Sequence, residues 1–123
     1  MGATVRVCVL IALLIVGLGC PAPSTAITVV NRSQEGLRNV TLTGRGFDQT
    51  LPLLKAGESI QVAVHPAGES GLSVGFTTAK GHRLQYPEQD YLEPGYLVTV
   101  VIDSDLRVQI DSTPPSPSGR QAQ

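Results

Sequence analysis

The chain has 123 residues, a mean hydropathy of +0.12, and nine Lys/Arg against ten Asp/Glu, for a formal charge of −1 at neutral pH. A near-neutral chain of this length holds one modest core. It has no basic run or patch, so its composition argues against a nucleic-acid partner.

The first 19 residues have the three parts of a secretory signal peptide: a short start with one charge at Arg6, an apolar run over residues 7–18, and small residues before a cut. A signal helix of that length falls short of the roughly 20 apolar residues of a spanning helix. Pro21 and Pro23 interrupt it, so export is expected to end in cleavage. Cys20 closes the apolar run, and the other cysteine, Cys8, leaves with the signal. A cut before Cys20 therefore yields one unpaired thiol in an exported chain, unusual in an oxidising compartment unless the sulfur is modified. The other available cut follows Ser24-Thr25-Ala26, a small-x-small site that would remove Cys20 and give a secreted soluble binding or inhibitor domain.

Val16-Gly17-Leu18-Gly19-Cys20 resembles the lipobox of bacterial lipoproteins. That resemblance implies lipidation of the Cys20 sulfur, cleavage before it, and a chain held on the membrane by its lipid, facing the periplasm of the bacterial cell envelope. Pro21, where an aspartate could stand beside the cysteine, is similar to lipoproteins passed on to the outer membrane.

Residues 20–26 then form a tether, 27–111 the folding unit, and 112–123 a tail. With Pro114, Pro115 and Pro117 among Ser, Gly and Gln, the tail is expected to be disordered. Within the folding unit the apolar period is two. Residues 27–30 and 39–43 flank a polar loop, and residues 50–54 make a short strand that Pro52 assigns to a sheet edge. Ile60, Val62 and Val64 alternate with polar or small neighbours, as do Leu72, Val74 and Phe76. Ala79-Lys80-Gly81 reads as a turn before a strand at 82–85. The last two strands carry Tyr96, Val98, Val100 and Ile102, then Leu106, Val108 and Ile110, joined by a hairpin at Asp103-Ser104-Asp105. No segment of the unit has a helical period. About seven short strands predict an all-β fold, a small antiparallel β-sandwich, with a small barrel as the alternative.

Three segments strengthen the sandwich reading: Asn31-Arg32-Ser33, Leu37-Arg38-Asn39-Val40 and Leu54-Lys55-Ala56-Gly57-Glu58-Ser59. Their order resembles immunoglobulin-like exported domains. The resemblance implies a fold and no activity.

Candidate chemistry is sparse. No cofactor motif is found. Ser73 lies inside a strand instead of at a nucleophile elbow, and Gly44-Arg45-Gly46 lacks the helix of a phosphate loop. His65 and His82 would need Glu88 or Asp90 to complete a metal site, at spacings wider than zinc ligands usually show. Asn31-Arg32-Ser33 and Asn39-Val40-Thr41 are formal glycosylation sequons without weight in a bacterial chain. The most unusual stretch is 82–96, which holds all three tyrosines interleaved with acids. Tyr86, Glu88, Asp90 and Tyr91 are the candidate surface for a protein or glycan partner, since aromatic rings with polar tips beside acceptors suit recognition. The competing reading makes the tyrosines plugs of the sandwich and the acids a solvated loop. The expectation is thus an exported, lipid-anchored accessory module without catalysis.

Overall fold

The computed structural model describes residues 24–115; the signal peptide, Cys20 and most of the tail lie outside the described residues. Eight strands follow one another: β1 (Thr25–Asn31), β2 (Leu37–Gly44), β3 (Phe47–Leu54), β4 (Ser59–Val64), β5 (Ser70–Thr77), β6 (Arg83–Leu92), β7 (Leu97–Ile102) and β8 (Val108–Thr113). They form two four-stranded sheets, ordered β4-β1-β7-β8 and β3-β2-β5-β6. The expected all-β sandwich is the observed fold. All neighbours are antiparallel except β1 and β7, which run parallel.

The alternation seen in the sequence is what builds the core. In the first sheet Ile27 lies beside Val98 and Val29 beside Val100, and all four point inward and are buried. The facing sheet contributes Leu37, Val40, Leu42, Leu51, Leu54, Leu72, Val74, Phe76 and Leu92. Burying these apolar side chains drives the two sheets together at about 25 cal/mol per Å² removed from water.

Several boundaries differ from those expected. β1 starts at Thr25 and β8 ends at Thr113, so the sheet takes two residues from the tether and two from the tail. Ladder pairing across β7 explains this, because Ala26 and Thr113 flank Leu97 on its two sides. β3 is a full strand of eight residues with Pro52 exposed on the sheet edge, where a missing N–H breaks no ladder. β6 continues through Leu92, so Glu88 and Asp90 sit on an edge strand rather than on the expected solvated loop. His82 stays in the β5–β6 turn, whose Gly81 has φ +86.

One end of the sandwich is locked by a polar network. Asn31 is fully buried, and its Nδ2 donates to the carbonyls of Glu35 (2.9 Å), Leu54 (3.0 Å) and Lys55 (3.1 Å). Its Oδ1 accepts from the Ser33 N–H (2.9 Å) and hydroxyl (2.6 Å). The β3–β4 turn that it grips is closed by the Lys55 N–H donating to Glu58 Oε1 at 2.7 Å, with Gly57 at φ +80. Two of the three segments that suggested the sandwich thus meet in space. Their polar residues are there because a buried amide must satisfy its hydrogen-bonding groups.

Candidate functional site

The four candidate residues share β6, but the strand divides them. Pairing with β5 shifts twice, from Val74 opposite Tyr86 to Leu72 opposite Gln89 and then Ser70 opposite Leu92. Each shift inserts one extra residue in β6, the signature of a bulge. Asp90, at φ +63, absorbs part of the distortion.

Above the bulges, Tyr86 turns inward. Its ring stacks on the buried Phe76 with centroids 6.1 Å apart, and its hydroxyl donates to the Leu106 carbonyl at 2.6 Å. It joins β6 to the β7–β8 hairpin across the open side of the sandwich. Tyr86 is thus partly buried against the core and lies apart from the groove formed by the other three candidates.

Below, Glu88, Asp90 and Tyr91 line an open polar groove of about 540 Å³ together with Arg45, Glu69, Ser70 and Gly71. Gly71, lacking a Cβ, leaves room for the Glu88 side chain to lie across β5. Ser70 Oγ accepts from the Arg45 N–H at 2.8 Å and donates to the Gly71 carbonyl at 2.6 Å, fixing the β2–β3 turn against β5. Asp90 Oδ2 accepts from Ser112 Oγ at 3.0 Å, a second link from β6 to the other sheet. Tyr91 is 43% exposed, meets Tyr96 edge-on at 6.0 Å, and donates its hydroxyl to the Glu93 carboxylate. That hydrogen bond first, then desolvation and the negative charge of Glu69, push the phenol's pKa well above its ordinary value. Tyr91 is therefore a neutral phenol at physiological pH.

The groove offers one guanidinium, three carboxylates and a phenol, which suits binding of polar or cationic groups. The sequence reading missed Arg45, Glu69, Ser70 and Gly71 as members of one site. Gly44-Arg45-Gly46 drew attention there for other chemistry, but nothing local says that the β2–β3 turn lies against the start of β5. Histidines do not join the site, nor each other: His65 follows β4 at the end where β1 starts, and His82 is in the turn at the opposite end. Among the described residues, no three His, Cys, Asp or Glu side chains are grouped to hold a metal ion. A second concavity, about 330 Å³, lies near His82 and is lined by Glu35, Thr78, Lys80, His82, Leu84 and Leu106.

No known protein family matches the sequence, and no curated protein is significantly similar to it. Among solved structures, the fold is similar to the NMR structure of a protein from Eubacterium rectale, with a TM-score of 0.54 and 21% identity over 76% of this chain and 91% of that one. At that identity the likeness is one of fold alone, and it is consistent with the small β-sandwich described above.

Proposed function

We propose that the chain is an exported lipoprotein, anchored through a lipid on Cys20 at the periplasmic face of the bacterial cell envelope, in the outer membrane. There it serves as a binding or structural accessory module without catalysis. The observation that carries this reading is the start of β1. Thr25 is fully buried and its Oγ1 donates to the Glu93 carbonyl at 2.8 Å, while the Ala26 N–H donates to the Tyr96 carbonyl at 3.2 Å. Cleavage after Ala26 would remove both residues from a strand that sits in the middle of its sheet. Cleavage before Cys20 keeps β1 whole and leaves a short linker between lipid and fold. The binding half of the proposal rests on the groove walls at Glu88 and Asp90, beside Tyr91 at its rim, whose open polar lining suits a protein or glycan partner.

Intact mass of the mature protein tests the anchor. The expected species starts at Cys20 and carries diacylglycerol mass, and Cys20→Ala leaves an uncleaved precursor or a soluble chain. A mature N-terminus at Ile27 without added mass would overturn the proposal.

A further inference from the structure

We infer that the end of the sandwich where β1 starts and β8 finishes is a membrane-contacting surface, with Leu97 and Tyr91 seated at the lipid headgroups. This inference rests on the lipid anchor proposed above. Its own support comes from where the chain enters the fold and from what is exposed there.

Thr25 and Thr113 lie at one end, on either side of β7, so both termini leave the domain together. The start of β1 is hydrogen-bonded to the Glu93–Tyr96 turn. Two of the three large apolar or aromatic side chains that are exposed among the described residues stand at this end: Leu97, 58% exposed, directly follows that turn, and Tyr91 packs on Tyr96. A tyrosine with an apolar body and a neutral, hydrogen-bonding tip is the residue type that settles at a membrane–water boundary.

Chain geometry removes the inverted arrangement. Cys20 is five residues before Thr25, a reach of at most about 17 Å at ~3.4 Å per residue. Strands of eight residues such as β2 and β5 make the sandwich about 26 Å tall. With its lipid in the bilayer, the tether is too short to let the opposite end touch the surface. Glu69, Glu88 and Asp90 line the groove beside Tyr91 and Glu93 accepts from its hydroxyl, so electrostatic attraction to anionic headgroups is not what holds this end, and a contact made by Leu97 and the Tyr91 ring should survive high salt.

The test uses the full-length lipidated protein, which has no cysteine in its folded part, reconstituted in phosphatidylcholine vesicles containing headgroup-spin-labelled lipid. A fluorophore is placed on Thr113→Cys at the near end or on Asp105→Cys at the far end, both exposed positions. Quenching is expected to be several-fold stronger at position 113 and unchanged by high salt. In the Thr113→Cys background, Leu97→Asp is expected to reduce quenching several-fold while leaving the thermal melt intact. Equal quenching at both ends of a protein that carries lipid mass overturns the inference and leaves the anchor standing. Unequal quenching that Leu97→Asp does not alter overturns the seating of Leu97. A chain without lipid mass overturns the anchor and this inference together.

Discussion

The two ends of this sandwich handle their polar and apolar groups in opposite ways. At the end holding Asn31, a polar side chain is buried and fully used: one amide serves three carbonyls and a serine, and the β3–β4 turn closes over it. At the end holding Tyr91 and Leu97, apolar side chains are exposed, β6 is bulged, both termini depart, and a polar groove stays open. The difference teaches where each role lies. A closed polar network stabilises one geometry, whereas the end that keeps a polar groove open and leaves Tyr91 and Leu97 exposed has more surface available for contact.

Breaking the closed end should have the largest effect. Asn31→Ala strands several buried carbonyls and the Ser33 hydroxyl, at about 1–3 kcal/mol for each group left unsatisfied; partial relaxation should bring the total to about 3–4 kcal/mol, read from urea denaturation. In a domain of this size that is a large share of the total stability. Val100→Ala, in the core between the two ends, should cost about 2 kcal/mol from lost burial and the cavity left behind. A loss that exceeded that of Asn31→Ala would mean the end network contributes less than its geometry suggests.

Tyr86→Phe removes only the bond to the Leu106 carbonyl and keeps the ring on Phe76, so a loss of about 1 kcal/mol is expected. Truncation sharpens the boundary at the open end. Ending the chain after Thr113 should leave the thermal midpoint unchanged, while ending it after Asp111 removes the Ser112–Asp90 bond and the Thr113–Leu97 pairing and should lower stability by about 1 kcal/mol. The smallest effect on stability is at Tyr91. Its phenol should titrate above the ordinary value near 10 when followed by phenolate absorbance, and Glu93→Gln should bring it back toward that value. Because the folded pKa is raised above the unfolded one, this contribution to stability is present below pH ~10 and is lost as pH rises through the raised folded value. A folded-state titration at the ordinary value would show that Glu93 does not hold the hydroxyl in solution.

Sequence alone determined much of this protein. Period-two alternation at Ile60 to Val64, Leu72 to Phe76 and Val98 to Ile102 identifies strands and their inward faces, because each side chain on a pleated strand alternates between core and water. Asp103 was legible as a hairpin residue for a local reason, its carboxylate accepting from the N–H groups of Asp105 (2.8 Å) and Arg107 (3.0 Å). Of the four residues picked out by composition, Glu88, Asp90 and Tyr91 line the groove. Tertiary structure alone decided what was non-local. It paired β1 with β4 and β7, and β8 with β7, which drew Thr25, Ala26, Ser112 and Thr113 into the sheet, and it extended β6 along an edge as far as Leu92. It set Tyr86 apart from Tyr91 through two bulges that no short-range pattern signals, since bulges depend on the partner strand's register. It also brought Arg45 and the Glu69 to Gly71 segment beside Glu88. Residues distant along the chain become one surface only when two sheets have packed, and the energy that packs them is spread over the whole core rather than written at the site.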